Sequence, residues 1–263
     1  MRWVDSNGLR YVQFPNLVNV PGLWHAIFTR QWWDGKNGSR SSFNIGFNAG
    51  DPDDVICSHR RRMISVVGGR STVYAHQVHG AEVAIWDKAS AGRLSQKSVA
   101  IVRLSGDALV TCLPDAALVI QTADCQSVMI VDPVRRVIAN VHSGWRGSIA
   151  NIIGKTVDTM VSRFGCRPGD IFGGIGPSLG PCCAEFKNYK EEIPAHYWRY
   201  RRAGDLFDFW RLSIDQLAAA GVPPNQVVLA GICTRCNVST FFSYRGEKRA
   251  AGRFAAVIRW CSD

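Results

Sequence analysis

Short apolar runs alternate with polar segments and with Gly- or Pro-containing segments along most of the chain, a pattern typical of strands. The Asp132-Pro133 pair between two of these runs indicates a turn, so residues 127–131 and 137–141 are predicted to pair as a hairpin. The full set of predicted strands is 24–28, 73–75, 82–86, 107–111, 117–121, 127–131, 137–141, 170–174, 227–231 and 254–260.

The clearest amphipathic helix is predicted after Ser148, which we assign as its N-cap, and it ends at Phe164-Gly165. Two further helices are predicted at residues 188–198 and 209–220. This mixed order of elements predicts an α+β fold in which helices cover a β-sheet. No segment resembles an interdomain linker, so residues 1–263 are predicted to form one domain.

Composition narrows the class of protein. A chain of 263 residues with 46% hydrophobic residues is long enough to bury a sizeable core. It has no apolar run near the roughly 20 residues that span a bilayer, and residues 1–21 lack the apolar core of a secretory signal. We therefore expect a cytoplasmic protein without a membrane partner. The nine cysteines, an odd number spread along the chain, are expected to be thiols.

The net charge of +10 predicts an anionic partner. Basic residues cluster at 60–62, 199–202 and 245–253, but no nucleic-acid-binding motif accompanies them. We therefore predict no nucleic-acid partner. A phosphate-bearing small substrate would need only one or two of these arginines.

Three residues that can ligate a metal lie where predicted strands end. His79 follows the strand at 73–75, Cys125 interrupts two apolar runs, and His142 ends the strand at 137–141. Three protein ligands of imidazole and thiolate type, with a fourth position open, are typical of catalytic zinc. Their wide separation in sequence leaves open a second interpretation, in which the histidines are partly buried and the cysteine is a small core residue.

Several separated motifs occur in one order between Trp24 and Trp260 and together resemble the YfiH family. Members of this family are variously called polyphenol oxidase, laccase-domain protein, peptidoglycan editing factor or purine nucleoside phosphorylase. The motifs are Ser42-Phe43-Asn44-Ile45-Gly46, Gln77-Val78-His79-Gly80, Thr122-Ala123-Asp124-Cys125, His142-Ser143-Gly144-Trp145-Arg146-Gly147, Gly176-Pro177-Ser178-Leu179-Gly180-Pro181 and Phe241-Phe242-Ser243-Tyr244-Arg245.

The resemblance implies zinc ligands at His79, Cys125 and His142 and a layered α/β/α-type sandwich with a mixed sheet, related to a toxin deamidase. It also implies phosphorolysis of adenosine, inosine, guanosine and methylthioadenosine, and deamination of adenosine. The partners would be a purine nucleoside and phosphate, and the protein a monomer or a homodimer. A single copper is the alternative to zinc, since blue-copper sites use the same types of ligand. Six histidines without a His-x-His pair are too few for a multicopper laccase.

Residues near the triad extend the predicted site. Arg146, at the start of the predicted helix after Ser148, is expected to bind phosphate and to join Cys125 and His142 in catalysis. Asn44, Asp107 and Arg245 are predicted to bind substrate; structural turn roles for Asn44 and Asp107 stay open. Asp124 is read either as a partner of a ligand histidine or as a turn carboxylate.

Two other functions stay open for this chain. Cys125 and His142 would also suit a nucleophile–base dyad in an amide hydrolase that edits peptidoglycan precursor peptides. A copper-dependent, laccase-like polyphenol oxidase is the second alternative. Cys233-x-x-Cys236 fits the pattern of a redox motif or of half a zinc knuckle. The adjacent Cys182-Cys183 pair has the wrong spacing to complete a knuckle, so these four cysteines are expected to be ordinary thiols.

Overall fold

The computed structural model describes residues 1–33, 40–47, 49–92 and 100–262. Its strands in chain order are β1 Arg2–Ser6, β2 Leu9–Gln13, β3 Leu23–Trp33, β4 Arg40–Ser42, β5 Ser71–His76, β6 Val83–Ile85, β7 Ala100–Ser105, β8 Ala108–Thr111, β9 Ala116–Thr122, β10 Gln126–Asp132, β11 Val137–Ser143, β12 Phe172–Ile175, β13 Arg201–Arg202, β14 Leu206–Phe207, β15 Val227–Leu229 and β16 Phe254–Trp260. Its α-helices are α1 Asp53–Val67, α2 Lys88–Ala91, α3 Trp145–Ile149, α4 Ile152–Phe164, α5 Tyr189–Glu192, α6 Phe209–Ala219 and α7 Tyr244–Glu247.

Two large mixed sheets organise the described part of the chain. The first has the order β1-β2-β3-β16-β9-β5-β7, with β4 beside β3, and the second has the order β15-β12-β10-β11-β8-β6. β13 and β14 form a separate pair. In the first sheet β5 runs parallel to β7 and β9, whereas β16 runs antiparallel to β3 and β9. The predicted hairpin is confirmed, because β10 and β11 pair antiparallel with Ile130 opposite Ala139.

The two sheets lie face to face. Side chains of the first sheet, such as Ile120 and Ile258, share one apolar cluster with side chains of the second, such as Met129 and Val131, and all four are fully buried. Every residue of β10 and β11 is buried, because the sheet partner covers one face and helices cover the other.

Helices close the outer faces of both sheets. Met63 and Val67 of α1 pack on the first sheet, while α4 and α6 pack on the second through residues such as Val157 and Leu217. The layers therefore run helix, sheet, sheet, helix. The predicted α+β class with mixed sheets is confirmed, and its β layer consists of two stacked sheets. One domain over residues 1–263 stays a prediction.

The segment after β11 differs from its prediction. The single predicted helix is two helices, α3 and α4, and the N-cap of α4 is Asn151 in the left-handed conformation, with its side chain accepting from the amide of Gly154. Ser148 lies inside α3, where its hydroxyl contacts that of Ser143. Ser148 as the N-cap is therefore wrong, whereas the predicted end is confirmed because Gly165 is the C-cap.

The helix predicted at residues 188–198 is also wrong in part. The structure has the short helix α5 and then a 3₁₀ segment, Ala195–Tyr200, with extended backbone at Ile193 and Pro194 between them. Proline disfavours helical backbone in the residue before it and cannot donate an amide hydrogen bond, so the two turns cannot merge. None of the helices in the described ranges is both long and apolar enough to cross a bilayer.

Candidate metal centre

The three predicted ligands meet where the two stacked sheets end. His79 follows β5, Cys125 lies in the turn between β9 and β10, and His142 is the next-to-last residue of β11. A ligand atom from each of them lies within 4.8 Å of those of the other two. The structure therefore brings together three residues that are far apart in sequence, as a shared metal requires.

A buried carboxylate fixes the backbone that presents His79. Both oxygens of Asp107 accept hydrogen bonds from the backbone amides of residues 78–80, at 2.8 to 3.2 Å. His79 has a positive φ of 62°, a conformation that costs energy for a residue with a side chain. The three amide bonds hold this turn and so fix the direction of the imidazole.

The same carboxylate orients His142. Oδ1 of Asp107 accepts a hydrogen bond from Nδ1 of His142 at 2.8 Å, which leaves Nε2 of that ring for the centre. Asp107 is fully buried and does not line the neighbouring cavity. Its place in the structure is thus behind the two histidines. A direct contact between Asp107 and substrate, as predicted from the sequence, does not fit this position.

Gly144 leaves the space in front of the triad free. A Cβ at this position would lie 3.1 Å from Sγ of Cys125 and 3.2 Å from Cδ2 of His79. Its φ of −74° is open to any residue, so space and not backbone conformation demands glycine here.

The electrostatics of the triad favour a thiolate. Burial opposes ionisation of Cys125, but the nearby charge of His142 and hydrogen bonds with both histidines outweigh it and lower the pKa of Cys125 to about 6. Burial likewise opposes the charged form of His142, but Cys125 and Asp107 raise its pKa to about 9. The pair therefore holds opposite charges near neutral pH.

A cavity of about 810 Å³ opens onto the triad. Among the described residues, its walls combine aromatic rings with five arginines, and the one carboxylate, Asp124, is bound to other groups. The aromatic and arginine residues of the lining are Phe47, Tyr74, Trp145, Phe186, Phe209, Tyr244, Arg60, Arg103, Arg146, Arg245 and Arg253. Such a wall suits an anionic ligand that also has a flat apolar part.

The predicted arginines both line this cavity. Arg146 stacks on the ring of Trp145 at 4.2 Å, and its guanidinium makes no hydrogen bond within the described residues. It belongs to the five-residue helix α3, so the predicted position at the start of the long helix is wrong. The guanidinium of Arg245 donates to the carbonyl of Glu185 at 3.0 Å.

Asn44 lies away from the cavity surface. It is fully buried, its Nδ2 donates to Asp51 at 2.9 Å, and its Oδ1 accepts from the amides of Gly46 and Arg253. Because Gly46 and Arg253 themselves line the cavity, Asn44 holds two parts of the wall in place. The structure offers no direct contact between Asn44 and a ligand, which leaves the structural turn role.

Sequence reasoning missed three cavity arginines: Arg60, Arg103 and Arg253. Arg60 lies between the rings of Phe47 and Tyr74, at 4.2 and 4.7 Å. The sequence shows clusters of basic residues around 60 and 253, but it does not show which of these side chains face the cavity.

Asp124 acts as a turn carboxylate, one of the two interpretations left open. It has a positive φ of 84°, and its side chain accepts from the hydroxyl of Thr234 at 2.6 Å and from the amide of Arg245 at 2.5 Å. Neither partner is a ligand histidine. Asp124 thus fixes the turn that presents Cys125.

Comparison with known proteins agrees with this architecture. A family model described as multi-copper polyphenol oxidoreductase laccase matches residues 25–261. A Geobacillus stearothermophilus protein named purine nucleoside phosphorylase YlmD is 31% identical over 235 residues, which cover 84% of each chain. An Escherichia coli protein named purine nucleoside phosphorylase YfiH is 30% identical over 228 residues, covering 82% of this chain and 86% of that protein.

A solved structure gives the same result in three dimensions. The crystal structure of YlmD from Geobacillus stearothermophilus superposes with a TM-score of 0.81 at 28% identity, and the match covers 98% of both chains. The resemblance found from the motifs is therefore confirmed, and the chain belongs to the YfiH-type family whose model is described as multi-copper polyphenol oxidoreductase laccase.

Proposed function

We propose that this protein is a zinc-dependent purine nucleoside enzyme. The proposed reactions are phosphorolysis of adenosine, inosine, guanosine and methylthioadenosine, and deamination of adenosine. The observation that carries the proposal is the His79–Cys125–His142 triad in the wall of an arginine-lined cavity. Relatives named purine nucleoside phosphorylase support the choice of substrate class.

The residues present fit a zinc ion. Two imidazoles and one thiolate would bind it, Asp107 holds the ring of His142, and Gly144 keeps the open side free. When bound there, zinc supplies a Lewis acid that polarises an oxygen-bearing group of the substrate. Three protein ligands with the fourth position open are the pattern of catalytic zinc.

The cavity matches the size and chemistry of a nucleoside and an anion together. About 810 Å³ lies within the usual range for small-molecule sites, roughly 300–1,000 Å³. Phosphorolysis joins a phosphate oxygen to the anomeric carbon as the bond to the base breaks. Arg146 would bind the phosphate, since its guanidinium has no competing hydrogen bond among the described residues, and rings such as Trp145 or Phe186 would stack on the purine.

The donor set argues against the multicopper chemistry in the family's description. Of the six histidines, His25 accepts from the amide of Phe14 and His59 bonds to the carbonyl of Asn44, and both are buried in the core. All six histidines lie in the described ranges, and of these only His79 and His142 line the cavity. Two imidazoles cannot supply the ligands of a mononuclear and a trinuclear copper centre.

The direct test is product analysis by chromatography. Zinc-loaded protein is incubated with adenosine, with and without phosphate. Adenine that appears only with phosphate demonstrates phosphorolysis, and inosine in either tube demonstrates deamination. His79→Ala, Cys125→Ala and His142→Ala variants should abolish both, and full activity in any of them would contradict the proposal.

A second candidate is a Cys125–His142 amide hydrolase that acts on peptidoglycan precursor peptides. The hydrogen bond between the two side chains favours it, because a thiolate beside an imidazolium is the arrangement of cysteine hydrolases. Chelation separates the candidates. Removal of metal should abolish nucleoside turnover by a zinc enzyme, whereas a dyad should still cleave its peptide.

A further inference from the structure

Four cysteines converge at a second place, in loops outside the triad. The sulfurs of Cys182, Cys183, Cys233 and Cys236 all lie within 4.8 Å of one another. The sequence prediction that the Cys182-Cys183 pair does not join the Cys233-x-x-Cys236 element is therefore wrong. The two loops are held together by a β-bridge between the backbones of Ser178 and Cys233.

The spacing of the sulfurs matches that of a tetrahedral thiolate site. The Sγ atom of Cys236 lies 3.7 Å from that of Cys182 and 3.6 Å from that of Cys183. Four sulfurs at about 2.3 Å from a central zinc are about 3.8 Å apart, as tetrahedral geometry requires. A disulfide needs about 2.05 Å, and all four cysteines are free thiols in the structure.

Backbone amides point at the sulfur of Cys233. The amide of Gly180 donates to it at 3.3 Å, and the amide of Cys236 donates as well. N–H donors of this kind stabilise a thiolate. Such donors suit the charged sulfur of a metal-bound cysteine.

We propose that Cys182, Cys183, Cys233 and Cys236 bind one zinc ion, separate from the ion of the triad. Four sulfurs at this spacing can bind a divalent ion as thiolates, and the ion would offset the repulsion between their charges. A closed set of four protein sulfurs leaves no open position, which is the pattern of a structural zinc and not of a catalytic one.

The position of the cluster indicates a structural role for the ion. Thr234, between the two cysteines of the knuckle, donates its hydroxyl to Asp124, the carboxylate that fixes the turn of Cys125. On the other loop, Leu179, Ala184 and Phe186 line the cavity. An ion that joins the two loops would therefore fix one cavity wall and the turn beside the triad.

Metal analysis of the full chain, purified under reducing conditions and supplied with zinc, tests the site. Cys236→Ser should lose one zinc per chain relative to the unaltered protein, and His79→Ala should lose a different one, so that the double variant loses two. Cys57→Ser, which removes an exposed cysteine of α1, should lose none. Equal zinc content in the Cys236→Ser variant and the unaltered protein would overturn the proposal, as would iron in place of the second zinc.

A second measurement needs no variant and so does not depend on folding. Cys182 and Cys236 are exposed, as are Cys57 and Cys112. Zinc should slow alkylation of Cys182 and Cys236 by N-ethylmaleimide about tenfold or more relative to chelator-treated protein, as read by peptide mass spectrometry, because a metal-bound thiolate is a weaker nucleophile. Cys57 and Cys112 should react equally in both samples. No protection by zinc, or a disulfide within the cluster under reducing conditions, would overturn the assignment.

Discussion

The carboxylate of Asp107 accepts a hydrogen bond from Nδ1 of His142 and, through the same oxygen, another from the backbone amide of His79. One buried side chain thus positions two of the three ligands. Asp107→Asn keeps the size of this group but replaces one acceptor oxygen with a donor. We expect the zinc affinity to fall about 10- to 100-fold, the usual effect of losing a partner behind a ligand histidine.

Competition with a chelator of known affinity measures this loss. Asp132→Asn is the matched control, because Asp132 is also fully buried and accepts from two backbone amides, of Val134 and Arg135, at the turn between β10 and β11. Both variants should lose stability, but only Asp107→Asn should lose zinc. An equal loss of zinc affinity in the two variants would mean that Asp107 contributes only to the stability of the fold.

Gly144→Ala tests whether the space before the triad matters. The added methyl group would press on Cys125 and His79 at 3.1 and 3.2 Å, so these ligands must shift by a few tenths of an ångström. We expect kcat/KM for the nucleoside to fall about tenfold with little change in Tm, since small misplacements of reacting groups are costly. Gly169→Ala, where a Cβ meets nothing within 4 Å, should change neither quantity. Unchanged turnover in Gly144→Ala would show that the open side is not used.

The ends of predicted strands made His79, Cys125 and His142 candidate ligands, and the resemblance to the YfiH family then implied that the three bind one metal. The resemblance also placed Asp107 in the site, but as a substrate-binding residue and not as the partner of His142. Asp107 precedes the short strand β8, and only the pairing of β8 with β11 places it behind His142. The pattern of residues around Asp107 does not indicate which strand pairs with β8.

Helix α1 was missed for a physical reason. Its buried face comprises Ile56, His59, Met63 and Val67, and it includes a histidine that bonds to the carbonyl of Asn44. Counted as polar, His59 interrupts the helical spacing of apolar residues. A buried histidine with a backbone partner is therefore easily read as part of a polar segment.

The cysteine cluster escaped prediction because its two halves are about fifty residues apart in sequence and one half is a vicinal pair. The two halves come together where the backbone of Ser178 forms a β-bridge with that of Cys233. The left-handed N-cap at Asn151 was missed for a related reason, since apolar spacing runs through it and only the backbone reveals the break.

The pKa of Cys125 predicts how the alkylation of this cysteine in the metal-free protein depends on pH. Because His142 lowers this pKa to about 6, alkylation of Cys125 by iodoacetamide should rise with pH and reach half its maximum near pH 6, well below the value of about 8.5 for an ordinary thiol. His142→Gln should move the midpoint upwards. Cys166, whose pKa burial raises to about 12, should stay unreacted. Zinc should suppress the reaction of Cys125, and a midpoint near 8.5 in the unaltered protein would contradict the ion pair.

Arg146→Ala tests which cavity arginine binds phosphate. Arg60, Arg245 and Arg253 donate to backbone carbonyls, whereas Arg103 and Arg146 make no hydrogen bond within the described residues. Of these two, Arg146 lies four residues after the ligand His142 and stacks on the ring of Trp145. Loss of charged hydrogen bonds worth about 1.5–3 kcal/mol should raise KM for phosphate roughly 10- to 100-fold. Deamination, which uses no phosphate, should change much less, and this contrast separates anion binding from general damage. Arg163→Ala, on the exposed end of α4, should alter neither reaction. If Arg146→Ala lowered both rates equally, the arginine would serve the nucleoside or the fold and not the anion.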